Sequence, residues 1–108
     1  MYVAAYERDG DGWHATLAPT VVCPADVRLP DGDWQGVGDG FALYPELAGR
    51  PHLSAADGSA VPVARAIGDL GLLQLAAGRA VVAELAHPLY VRHRVALTTA
   101  ERNAGQRL

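Results

Sequence analysis

The chain opens on an alternation. In YVAAYER (2–8), Tyr2, Ala4 and Tyr6 alternate with Val3, Ala5 and Glu7. A period of two is that of a β-strand, and it sets the aromatics on one face. DGDG (9–12) supplies residues that tolerate positive φ, which predicts a tight turn. WHATLAPTVV (13–22) then returns as a second strand, with Pro19 confining its far half to an edge or a bend. The first 22 residues therefore predict a β-hairpin.

Beyond the hairpin the pattern changes. CPADVRLPDGD (23–33) reads as one helical turn and a loop, with Pro24 suited to a first helical position. WQGVG (34–38) predicts a short buried strand. DGFALYPELAGR (39–50) predicts a short helix, with Asp39 or Gly40 near its start, Gly49 past its end and Pro45 in its first turn or bending it. PHLSAADGSA (51–60) is loop-like, with a brief strand at His52–Ser54. The longest helical pattern is VPVARAIGDLGLLQLAAGRA (61–80), opened by Pro62 and closed by Gly78. Ala64, Ile67, Gly71 and Leu75 share one face, widened by Val63, Leu70 and Leu73, and the spacing predicts Ile67 in the core. Gly68 and Gly71 weaken the helix by up to about 1 kcal/mol each relative to Ala, but they let another backbone come close. AVVAELAHPLYVR (80–92) carries the chain into an extended segment.

Composition narrows this picture. The chain has 108 residues, half of them apolar, enough for one domain. The apolar set is mostly Ala, Val and Leu, with one Phe and one Met, so burial per residue is modest. The formal net charge is -3, and all nine basic residues are arginine. That balance argues against a wide nucleic-acid contact, which needs clustered positive charge. The exception is the C-terminal run Arg92, Arg94, Arg102 and Arg107. A single cysteine, Cys23, excludes an internal disulfide and a cysteine-based zinc site, and fits the reducing cytosol. The pattern predicts no signal peptide and no membrane span.

Candidate chemistry is sparse. GVGDG (36–40) places Gly36, Gly38 and Gly40 between a strand and a helix, where backbone N–H groups can meet a phosphate. It lacks the GxGxxG spacing and the lysine and hydroxyl of a phosphate loop, and Asp39 opposes an anion. A tight strand-to-helix turn is the simpler reading. His87 and His93 are six apart, the wrong offset for one helix face. Cys23 at the start of a short helix would favour a thiolate, but no His or Asn pattern supports a nucleophile, and a small buried apolar role explains it as well. Ser54 and Ser59 lack a nucleophile-elbow context. Asp9, Asp11, Asp31 and Asp33 stand beside glycines as turn residues. The residues thus predict an α/β domain with no catalytic, cofactor-binding or metal-binding residue and no cofactor. Titration with ATP and magnesium, or with zinc, is expected to show no micromolar binding.

Four phrases carry a resemblance: YVAAYERDGDGW (2–13), GVGDGFALYPEL (36–47), LAAGRAV (75–81) and HPLYVRHRVA (87–96). Together they resemble the C-terminal half of the bacterial tRNA threonylcarbamoyladenosine biosynthesis family TsaB (YeaZ), once described as glycoprotease-like. The last phrase is the most specific, and Pro88, Tyr90 and Arg92 match the family's closing strand and tail. The resemblance implies a partial actin-like (RNase H-like) subdomain: an α/β unit over 1–108 with a mixed sheet, an N-terminal β-hairpin and flanking helices. It also implies that an N-terminal subdomain, and a strand that precedes YVAAYER, are absent. Family members are non-catalytic accessories in the cytoplasm. They support a catalytic TsaD-like subunit, with a TsaE-like ATPase, in transferring threonylcarbamoyl to tRNA. The helices that dock on TsaD lie outside the resemblance, so no partner-binding residue is carried over. Two other readings stay open: a small α/β interaction module, and a glycoprotease-like hydrolase, which would need a metal site. With its upstream strand missing, the hairpin or the sheet edge beside WQGVG is expected to self-associate.

Overall fold

The computed structural model describes residues 1–92 and 99–105. Strand β1, Tyr2–Asp9, pairs antiparallel with β2, Gly12–Val21. Of the two residues joining them, Gly10 has φ +57° and Asp11 does not enter the left-handed region, the signature of a type II′ turn. The register steps twice, between Tyr6 and Ala5 and between Ala5 and Val3. Each step adds a residue to β2. Thr16 is the first, and its hydroxyl donates to Glu7 Oε2 at 2.7 Å. The second falls at Ala18–Pro19, opposite Ala4, so the missing N–H of Pro19 costs no ladder bond. The Arg8 guanidinium lies 5.4 Å from the ring centre of its cross-strand partner Trp13. Main-chain bonds between Met1 and Val22 extend the ladder past its formal end.

A single 3₁₀ turn, Pro24–Asp26, follows, with the proline at its start as expected. Strand β3, Trp34–Val37, then pairs parallel with β4, Leu53–Asp57. Parallel neighbours need a crossover of a dozen or so residues. Here it holds helix α1, Gly40–Leu43, and a 3₁₀ turn, Pro45–Gly49. The single short helix expected over 39–50 is thus two pieces. Pro45 lacks an N–H and forces Tyr44 out of the helical region, to φ -131° and ψ 75°.

The α/β class, the N-terminal hairpin and the long helix after Pro62 are as the sequence predicts. The described strands form two separate two-stranded sheets, β1–β2 and β3–β4. Among the described residues, three apolar ones are buried: Ala5, Val27 and Leu47. β3 is not a buried strand. Trp34 and Gly36 are half-buried, while Gln35 and Val37 face out. β4 runs longer than His52–Ser54, because the parallel ladder continues to Val37 opposite Asp57.

Helix α2, Ala64–Ala76, lies inside the expected span. Gly78, at φ +70°, closes it in a Schellman arrangement: Arg79 N–H donates to Gln74 C=O, and Gly78 N–H to Leu75 C=O. The expected burial of Ile67 is not found; it is 63% exposed. Periodicity shows which face of a helix is apolar, not what covers it. Every residue from 61 to 90 is exposed. The extended stretch after α2 holds one 3₁₀ turn, Ala83–Leu85, and no strand through Arg92. Of the closing strand expected from the resemblance, Pro88, Tyr90 and Arg92 lie in no strand, and residues 93–98 lie outside the described set. Helix α3 is Thr99–Asn103. The radius of gyration, 17.3 Å, exceeds the roughly 13 Å of a compact chain this long.

Candidate functional site

An open cleft of about 1140 Å³ lies between the hairpin and the β3–β4 unit. β1 forms one wall. Trp34–Phe41 and Leu47 form the other, and Leu70 of α2 stands at the mouth. The GVGDG turn crosses its floor. Gly38 has φ +119°, a conformation open to glycine and costly for other residues. Its N–H donates to Asp57 C=O at 2.9 Å, tying the end of β3 to the end of β4. The N–H groups of Phe41, Ala42 and Leu43 are taken by Gly38 and Asp39 carbonyls. The donors that follow Gly40 in α1 are therefore already used. Asp39 sits before α1 with no side-chain cap, where its charge opposes an anion. The turn is a strand-to-helix connection.

Close packing explains its glycines. A Cβ on Gly36 would stand 2.6 and 2.9 Å from two carbons of the Phe41 ring, and one on Gly40 3.1 Å from the Met1 methyl. Those contacts seat α1 against β3 and the start of β1 near the turn. Arg50 spans the region behind. Its Nη2 donates to Pro24 C=O at 2.8 Å, and its Nε is buried without a partner. Nothing in the local spacing singles out Arg50, because its partner is 26 residues away.

The other singled-out residues are dispersed. Cys23 is exposed, not buried. It does precede a helical turn, but one of three residues. Ser54 lies on β4, not in a loop, and donates to Trp34 C=O at 3.2 Å. Ser59 donates to Asp57 Oδ1 through both its hydroxyl and its N–H, at 2.6 and 2.8 Å. These bonds hold the Asp57 carboxyl below its usual range. His52 adopts φ +69°, with Nε2 3.5 Å from Asp31 and Nδ1 3.2 Å from Gly32 C=O. His87 is exposed, and His93 lies outside the described residues. Among the described residues, no three of His, Cys, Asp and Glu come together as a metal would require. No described helix is long and apolar enough to cross a membrane.

No family model matches the chain. In an alignment 103 positions long that covers 89% of the chain, it is 34% identical to the tRNA threonylcarbamoyladenosine biosynthesis protein TsaB of Escherichia coli (strain K12). The alignment covers 44% of that protein, so the chain spans less than half the length of its curated relative. Among solved structures it is similar to an uncharacterized Pseudomonas aeruginosa protein with similarity to the peptidase YeaZ. The TM-score is 0.72 at 29% identity, covering 84% of this chain and 43% of that one. In sequence and in fold alike, the chain resembles the TsaB/YeaZ family, over a stretch that amounts to less than half of a family member.

Proposed function

We propose that this chain is a non-catalytic accessory component of the cytoplasmic machinery that makes threonylcarbamoyladenosine in tRNA. Its residues 1–108 correspond to one subdomain of a TsaB-like protein. In that role it supports a TsaD-like catalytic subunit alongside a TsaE-like ATPase. The observation that carries the reading is the 34% identity to the E. coli TsaB protein across 89% of the chain. The fold likeness to a YeaZ-like structure supports it independently.

An accessory role fits the chemistry. The N–H groups of Gly38, Phe41, Ala42 and Leu43 are committed to main-chain carbonyls, which leaves few donors at the GVGDG turn for an anion. The peptidase name attached to the structural neighbour's relative favours a hydrolase; the one Ser–carboxylate contact among the described residues, Ser59 to Asp57, has no histidine in it and lies in an exposed turn. The decisive experiment is threonylcarbamoyl transfer with TsaD-like and TsaE-like proteins from the same source, with and without this chain, read by mass spectrometry of tRNA nucleosides. The reading expects the modified nucleoside to rise when the chain is added. An unchanged yield, with no binding to either protein in pull-down, would sink it.

A further inference from the structure

We propose that a second, smaller pocket, lined by Val27, Arg28, Leu29, Arg50, Pro51 and His52, binds the phosphate of a small phosphomonoester. Its volume is about 450 Å³, and it shares Val27, Leu29 and Arg50 with the cleft. Arg50 is what singles it out. It is the one described arginine that is not exposed. Partial burial strips water from a guanidinium that stays charged, so a counter-charge beside it would offset the cost. None is supplied by the described residues, whose one charged pair is His52 with Asp31. Nη2 of Arg50 donates to Pro24 C=O at 2.8 Å and Nε is buried without a partner. Nη1 is neither buried nor hydrogen-bonded to a described residue.

Arg28 brings a second unbalanced charge to the same pocket. Its Nη1 donates to the carbonyls of Ala25 and Val27, at 3.4 and 3.2 Å. Both guanidiniums are thus tethered to the carbonyls of one short stretch, 24–27, which is itself closed by Val27 N–H donating to Pro24 C=O. With Nη1 held, the Nε–Nη2 edge of Arg28 has no partner among the described residues. That edge is a two-donor fork of the kind that takes a phosphate side-on. His52 adds a wall and not a charge: its ring nitrogens lie against Gly32 C=O and Asp31. The Asp31 side chain is fully exposed, so solvent and salt screen its opposition to an anion.

Charge selects the ligand. Two guanidiniums face a phosphomonoester that carries about -1.5 to -2 near pH 7. A carboxylate or a phosphodiester, singly charged, would leave one arginine unmatched. Val27, Leu29 and Pro51 give the pocket apolar walls for the organic part of the ester. The site does not rest on the tRNA-modification reading.

NMR titration of the 108-residue chain at constant ionic strength tests it, with phenyl phosphate as the probe and dimethyl phosphate as the diester control. The Nε–H signals of Arg28 and Arg50 and the amides of Leu29 and His52 should shift and saturate with the monoester. The diester should bind at least about tenfold more weakly, because one charge and its bonds are missing. Arg28→Gln should weaken the monoester by about tenfold or more, the size of one charge-assisted hydrogen bond. Arg28 is exposed, so the fold should tolerate the change, and Arg28→Lys, which keeps the charge without the fork, should recover part of the affinity. Arg65→Gln, on α2 and outside the pocket, should have no effect. Three results would overturn the proposal: shifts that grow without saturating, which is screening alone; equal or tighter binding of the diester, or of a short RNA lacking a terminal phosphate; or monoester binding that Arg28→Gln leaves intact or that Arg65→Gln lowers as much.

Discussion

Gly36→Ala tests the packing that builds the cleft floor. Gly36 lies on β3 with no left-handed φ, so its backbone accepts alanine. In an open strand the exchange would stabilise by about 0.5–1 kcal/mol. Here the new methyl would intrude on the Phe41 ring, with two ring carbons at 2.6 and 2.9 Å. Overpacking of this kind costs about 1–3 kcal/mol. Phe41 borders the open cleft, so its ring can swing aside, which favours the lower part of that range. The net expectation is a loss of about 0.5–2 kcal/mol. In urea, with a slope near 1–1.5 kcal/mol/M for a domain this size, the midpoint falls by roughly 0.3–2 M. The control is the same change in a Phe41→Ala background, where the clash is gone and Gly36→Ala should be neutral or stabilising. A coupling energy near zero in that double-mutant cycle would refute the contact.

Gly58→Ala should cost more and resist rescue, because the added Cβ would stand 2.8 Å from Ala42 N, 3.1 Å from its Cβ and 3.2 Å from its Cα. Backbone cannot rotate away as a ring can, and trimming Phe41 should leave the urea midpoint of this variant unimproved. Leu47→Ala removes the most deeply buried side chain, at 2% exposure. It should destabilise by about 2–5 kcal/mol, measured by urea unfolding. For Asp57, the folded carboxyl titrates below its unfolded value. Its contribution is therefore present above the unfolded value and is lost as pH falls through the folded one. Ser59→Ala removes the hydroxyl bond, so carboxyl-detected NMR should show Asp57 titrating at higher pH, and the acid side of the stability profile should lose that contribution.

Much of the local structure was legible in the chain because its causes are local. Alternation in YVAAYER, the DGDG turn and the Pro24 turn each act within a few residues, and each element appears where expected. The split of the helix at Tyr44 is also local chemistry: Pro45 names the break, and the structure shows two pieces in place of one bent helix. The family resemblance was legible in four short phrases, and it is matched in sequence and fold.

By itself, then, the sequence determined the hairpin, the span of α2 with its glycine stop, and the resemblance to TsaB/YeaZ proteins. Tertiary structure decided which faces are covered and which side chains meet. Periodicity placed Ile67 on an apolar face, yet that face is open. Cys23, read as a small buried residue, lies at the surface. The pairing of Trp34–Val37 with Leu53–Asp57, which lengthened β4, joins residues some 20 apart. So does the bond from Arg50 to Pro24, across 26 residues. The physical reason is common to all of them. A backbone propensity is set by a residue and its neighbours, whereas burial depends on which distant segments close over it, and that choice belongs to the chain as a whole.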